Sequence, residues 1–389
     1  MSSRKYTRRS LMQKGAAGAG FVALGSLAGC NGDDGNGNGN GNGNGNGNGN
    51  GTPTDEETPT DEETPTETPN GPPAVEMRPG DIVPARAGAV VSMDVQAMLN
   101  DDDLRDVGDS ILTQLQEFDQ EGNLPQDVDS AIEMARQEAN LDPTGFQQGL
   151  LFMEVEASGA DEEYVGIAMQ TDWTEDELVD AIESEGDEQL QQSTYGGYTL
   201  YTSQDSTDEG GMAVLSDGQY VLGTMNVLED VIDVVNGDAD PIAGELATLY
   251  DDTTAGHVAF ATVVPDDALN EEDFQNDDIS LDNVDEIEYM SGSVYKTDTT
   301  YGIEMNMWTG DSQTAGDLGE ELDNALGALT LSSDISEELK ERINDIEVTV
   351  SDQTVTMSYE EDIEQVKTYI EENVMNLLFL ILLGGGTTV

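Results

Sequence analysis

One thiol and one imidazole bound the side-chain chemistry of this chain. Cys30 is the single cysteine and His257 the single histidine of 389 residues. A lone cysteine excludes an intrachain disulfide, whatever the compartment. A Ser-His-Asp triad would have to use His257, and histidine-rich metal sites are excluded. His257 lies in Gly256-His257-Val258-Ala259-Phe260, where it reads as a residue at the edge of a strand. Carboxylates are abundant, 82 Asp and Glu, so acid pairs arise at every spacing and none stands out as an acid–base pair. Asp119-Gln120-Glu121-Gly122-Asn123 and Asn236-Gly237-Asp238-Ala239-Asp240 place oxygen ligands at alternate positions. Both lack the Gly at position six and the Glu at position twelve of an EF-hand loop. No glycine loop follows a strand and opens a helix to cradle phosphate. Trp173, Trp308, Tyr195, Tyr198 and Tyr201 can line a sugar or peptide site, or simply pack. The pattern therefore assigns no catalytic, cofactor or metal residue, and points to a binding module rather than an enzyme.

The setting of Cys30 is more specific. Residues 1–29 contain no acid and hold Arg4, Lys5, Arg8, Arg9 and Lys14, five of the chain's 13 basic residues. An uncharged run of small and apolar residues, Gly15 to Gly29, follows. This order is that of an export signal, and the apolar part is too short and glycine-rich for a bilayer-spanning helix. Within it, Thr7-Arg8-Arg9-Ser10-Leu11-Met12-Gln13-Lys14 resembles a twin-arginine motif, with Leu11 where Phe is often found. Leu27-Ala28-Gly29-Cys30 resembles a lipobox. The two resemblances imply export of a folded protein by machinery that reads Arg8-Arg9. They also imply cleavage before Cys30 and a lipid on its thiol, holding the protein to the outer face of the cell membrane.

Beyond residue 29, eight Lys and Arg face the 82 acids. Such a surface repels itself in dilute salt. Multimolar salt screens charges within about 3 Å, and the composition is then that of a halophile's solvated surface. No basic footprint for nucleic acid is present. Residues 30–79 read as a disordered linker. Gly35 to Gly51 alternates Gly and Asn, and Thr-Pro-acid repeats run to about Pro69. Asn50-Gly51-Thr52 is a possible N-glycosylation site, and the Thr/Pro tract suits an O-glycosylated stalk.

The globular body divides into residues 80–252 and 253–389. The first part predicts a strand at Ala89–Val95 and helices near 101–118 and 127–140. A hairpin at 150–170 follows, then a helix opened by the Thr174/Glu177 capping box. Strands follow at 198–202, 212–215 and 220–224, the last two joined by Asp217-Gly218, and a helix runs to Asn236-Gly237. The order recurs from Val258, through a hairpin at 289–308 and a helix carrying Leu318, Leu322, Leu326 and Leu329. Another hairpin turns at Ser351-Asp352, and a last helix carries Ile363, Val366, Ile370, Val374 and Leu377. The apolar run Leu377 to Leu383 either completes that helix's buried stripe or touches a membrane or partner.

The fold expected is α+β: two similar halves of antiparallel β-hairpins with packed helices, preceded by a signal peptide and disordered linker. With the signal, this element order resembles haloarchaeal twin-arginine-exported lipoproteins with a duplicated extracytoplasmic body. The resemblance carries no catalytic motif. Expected is a lipid-anchored, surface-exposed, non-enzymatic binding or interaction module of a halophile. A solute-binding lipoprotein of a transporter and a carboxylate- and divalent-cation-dependent extracytoplasmic hydrolase are the alternatives.

Overall fold

The computed structural model describes residues 75–116, 124–155, 164–186, 189–203, 210–265, 268–269, 281–332 and 335–369. The protein is α+β, and every strand pairing is antiparallel. Twelve strands form one continuous sheet in the order β11-β12-β10-β9-β8-β1-β2-β3-β7-β6-β5-β4. In the first half these are β1 (Ala89–Asp94), β2 (Phe146–Met153), β3 (Val165–Thr171), β4 (Leu190–Tyr195), β5 (Tyr198–Ser203), β6 (Gly211–Ser216) and β7 (Gln219–Gly223). The second half supplies β8 (Val258–Val263), β9 (Ile287–Lys296), β10 (Thr300–Thr309), β11 (Glu347–Ser351) and β12 (Thr354–Asp362).

The helices are α1 (Pro79–Ile82), α2 (Val95–Leu99), α3 (Asp102–Gln116), α4 (Val128–Ala139), α5 (Glu175–Gly186), α6 (Met225–Asn236), α7 (Glu245–Asp252), α8 (Ser312–Leu331) and α9 (Glu337–Asn344). A further helix occupies residues 363–369. Acids and hydroxyls cap many of these starts. Asp94, Asp127, Asp311 and Ser336 accept from backbone N–H groups of the first turns of α2, α4, α8 and α9. Thr174 and Glu177 form the expected reciprocal box at α5. α6 ends at Gly237, in the left-handed region at φ +75°. β4, α1, α2, α7 and α9 were not foreseen, and the strand expected to run through Val95 ends at Asp94, where α2 begins. β4 reads Leu-Gln-Gln-Ser-Thr-Tyr and lies at the sheet edge, where no alternation of apolar residues is required. α9 reads Glu-Glu-Leu-Lys-Glu-Arg-Ile-Asn and buries no side chain fully.

The two halves meet at β1 and β8 in a symmetric register. Val91 faces Phe260, Ala89 faces Thr262, and Met93 faces Val258. Following the ladders outward from that centre matches β1-β2-β3-β7-β6 with β8-β9-β10-β12-β11, strand for strand. The residues in line with Val91 are Leu151, Ile167, Leu222 and Met212. Those in line with Phe260 are Gly292, Met305, Met357 and Val348. The halves are thus related by a pseudo-two-fold, and the β4–β5 hairpin is an addition to the first.

That symmetry fixes the faces of the sheet, because directly paired residues share a face. On one face α5 covers Ile167, Met169, Met212 and Leu222 with Leu178, and α8 covers Met307 and Val355 with Ala315 and Leu318. On the other, α6 buries Val227, Leu228, Val231 and Ile232 over Phe152, Ala168, Ala213 and Val221, with α1 and α7 alongside.

Candidate functional site

The residues singled out for export and anchoring, Arg8, Arg9, Leu11, Lys14 and Cys30, lie outside the described residues, as does Asn50. So do the acidic loop at 119–123 and the apolar run Leu377 to Leu383. Among the described residues no helix is long and apolar enough to cross a membrane, and no group of three or more His, Cys, Asp or Glu could hold a metal ion.

The five aromatics proposed as a site are not brought together. Trp173 is tilted against Phe146 at 5.9 Å between ring centres, with Nε1 donating 2.7 Å to the Asp142 carbonyl. It lines an open groove of about 240 Å³ with Asp142, Asp172 and Glu177. Tyr201 donates to Glu175 at 2.5 Å, Tyr195 to Asp233 at 3.1 Å, and Tyr198 is buried in the core under α6. Trp308 stands apart from these four, edge-on to Tyr289 at 5.4 Å.

His257 is more than an edge residue. Its Nε2 lies 3.1 Å from Oδ2 of Asp101, whose side chain is 3 % exposed. The Asp101 carboxylate also accepts from Lys296 at 2.5 Å, Tyr301 at 2.9 Å, and the N–H groups of Asp103 and Leu104 at the start of α3. Burial alone would raise its pKa. Lys296, Tyr301, the Leu104 N–H and His257 outweigh that and hold it at about 2. Burial likewise works against the Lys296 charge, but Asp101 and Asp103 raise its pKa above the ordinary lysine value. Lys367, in the helix after β12, extends the node to Asp103 at 2.7 Å and Asp106 at 3.1 Å. All eight basic residues beyond Cys30 are ion-paired, and two of them converge here. With five donors on a buried carboxylate, nothing is left to meet a substrate. The node clamps α3 of the first half to β8, β9, β10 and the last helix of the second.

The surface that differs between the halves lies elsewhere, on the α6 face. In the first half one row across the sheet reads Val90–Phe152–Gly166–Gly223–Gly211, and the next reads Ser92–Leu150–Ala168–Val221–Ala213. The equivalent rows of the second half read Ala259–Ser293–Glu304–Ser358–Glu347 and Ala261–Ser291–Asn306–Thr356–Thr349. Positions that are apolar or glycine under α6 are here mostly polar. The polar side chains are bonded into a web. Thr253 donates to Ser291 at 2.8 Å, and Asn306 to Ser291 at 3.3 Å and Glu304 at 3.1 Å. Thr254 donates to Glu304 at 2.9 Å, and Thr356 to Asn306 at 2.7 Å. Ser293, 3 % exposed, has a buried hydroxyl with no partner.

Against β10, β12 and β11, α8 packs on the opposite face. The helix that follows β12 is the counterpart of α6 by order. In its described residues, Lys367 ties it to α3 and Tyr369 lies beneath Arg342 of α9, at 4.0 Å from the ring centre.

No family model and no curated protein matches this sequence. Among solved structures, crystal form III of TP0453 superposes with a TM-score of 0.39 at 10 % identity, covering 76 % of this chain and 99 % of that one. Crystal form IV gives 0.38 at 10 % identity, over 75 % and 97 %. At this level of similarity neither fold nor function passes from one protein to the other.

Proposed function

We propose that this protein is a lipid-anchored, extracytoplasmic binding module of a halophile. In this reading it is exported through the twin-arginine route by machinery reading Arg8-Arg9. Lipid on Cys30 holds it at the outer face of the cell membrane, and the acid-rich linker displays the body. The observation that supports a binding role is the polar face of the second half. It replaces, position for position, a face that the first half buries under its own helix. On β12 and β11 that face carries half-exposed Ser358 and Thr356 and exposed Glu347 and Thr349. The single antiparallel sheet counts against the solute-binding reading, which requires two lobes with largely parallel strands. The node at Asp101 offers no free carboxylate to the hydrolase reading.

Fractionation of cells in high salt, with mass analysis of the N-terminal peptide, tests the anchor. The mature protein is expected in the membrane fraction with lipid on Cys30, and Cys30→Ser should move it to the soluble fraction or the medium. Replacing Arg8 and Arg9 together by Lys should block export. Soluble wild-type protein with an unmodified Cys30 would sink the anchoring claim.

A further inference from the structure

We infer that the apolar run Leu377 to Leu383 docks on this chain's own body, in an apolar trough on the α8 face of the second half. That face lies opposite the polar web, and the inference is independent of it.

Two adjacent rows form the trough. One reads Val258–Val294–Ile303–Tyr359 and the other Phe260–Gly292–Met305–Met357–Val348. In a chain with 82 acids, neither row contains a charged side chain. Val294 is 40 % exposed and Ile303 54 %. Phe260, Met305, Met357 and Val348 are half-buried. In the first half the counterparts of Met305 and Met357 are Ile167 and Leu222, both buried beneath α5. α8 lies instead over the neighbouring row, on Met307 and Val355. On the far side of the trough, Lys296 and Tyr301 are tied to Asp101 at the start of α3. The large apolar side chains left exposed among the described residues all belong to the second half. A contiguous apolar surface of this kind marks a docking site.

The place where the described chain ends selects the occupant. Tyr369 lies beneath Arg342, whose Nε is 3.4 Å from Glu361. Glu361 stands two residues along β12 from Tyr359, which pairs with Ile303. Two residues along a strand and one strand across is about 8 Å. The eight steps from Tyr369 to Leu377 span about 12 Å as a helix and about 26 Å extended, so the run begins within reach of Ile303. Composition points the same way. The stretches 117–123, 156–163 and 270–280 also lie outside the described residues, and all three are rich in acids. Laid in the trough they would bury unpaired carboxylates. From Asn373 to Val389 there is no charged side chain, and the run itself is too short to cross a bilayer.

The test uses the mature chain in multimolar KCl with Cys30→Ser, which leaves no native thiol. Leu377, Leu380 and Leu383 are replaced by Cys in turn, each together with Ile303→Cys, and the protein is oxidised with diamide. At least one pair is expected to form a disulfide within a single chain. Its yield should be at least ten-fold above that of the same tail position combined with Thr349→Cys on the opposite face. With Leu380→Cys as the sole thiol, maleimide labelling should run at least ten-fold faster once Ile303→Lys is added. Ile303 is exposed, so the far-UV circular dichroism should not change. Absence of any intrachain disulfide overturns the docking, as does a labelling rate that Ile303→Lys leaves unaltered. Disulfides formed only between chains overturn it in favour of a second copy as host. Labelling that slows only when diphytanoyl phosphatidylcholine vesicles are added overturns it in favour of a membrane.

Discussion

Asp101 gathers donors from the start of α3, from β9 and β10, and from His257 just before β8. Its carboxylate is buried, so removing its charge leaves Lys296 without its closest partner and turns an amide N–H₂ toward groups that are themselves donors. Asp101→Asn should lower the free energy of unfolding by about 3 kcal/mol near neutral pH, the scale for breaking a buried pair from one side. The pH dependence carries a sign. Asp101 titrates at about 2 in the folded protein against 3.8 for an ordinary aspartate, so its contribution is complete above about pH 4 and is lost as pH falls toward 2. Lys296, raised by the same contacts, keeps its charge beyond the ordinary lysine value. The gap between wild type and Asp101→Asn should therefore close between pH 4 and 2. Denaturant melts from pH 5 down to 2 measure it, and a gap that persists at pH 2 would contradict the role given to the charge. The sequence showed Asp101-Asp102-Asp103 as acids at a helix start, and that much holds. It could not show that a histidine 156 positions and a lysine 195 positions away close on the same carboxylate.

At the scale of elements, the seat of α6 is made by glycines. Gly166 pairs with Gly223, and Gly223 with Gly211, on the face the helix covers. A Cβ on Gly223 would stand 2.7 Å from Val227 Cγ1 and 3.1 Å from the Val165 carbonyl. One on Gly166 would stand 2.2 Å from the Phe152 ring. Gly223→Ala is expected to cost about 1–3 kcal/mol through overpacking, read as a lower denaturant midpoint with an unchanged slope. Ser358→Ala, its half-exposed counterpart in the second half, should stay within about 0.5 kcal/mol. The contrast tests the difference between the two faces directly. Much of the element order was legible, because the turns are local. Asp217-Gly218 closes β6–β7 with Gly218 at φ +74°, and the alternation of Ile303, Met305 and Met307 marks β10 without any partner. What the other side of β10 faces was not legible. Glu304 and Asn306 read as solvent-side residues of an ordinary strand. Only the register, which aligns them with Gly166 and Ala168, shows that a covered apolar face has become a polar one. The same limit hid β4, whose side chains need no apolar period at the sheet edge.

For the molecule as a whole, charge decides the conditions under which the rest holds. The chain carries a formal net charge of −69, and every basic residue beyond Cys30 is already committed to a carboxylate. The remaining acids have no internal cation left to pair with, so solvent ions must screen them. Lowering KCl from multimolar to about 0.1 M lengthens the screening distance from about 3 Å to about 10 Å, which lets acids on neighbouring elements repel one another. The body is therefore expected to lose its thermal transition in dilute buffer and regain it on adding salt, followed by circular dichroism. A general salting-out of apolar groups would produce the same trend, so the deciding variant changes charge alone. Replacing Glu341 of α9 with Asp317, Glu320 and Asp323 of α8 by their amides removes four exposed negative charges, none of them ion-paired among the described residues. Self-repulsion predicts that this variant needs less salt to fold than the wild type. An unchanged salt midpoint would mean that the acids hydrate the surface without governing its stability.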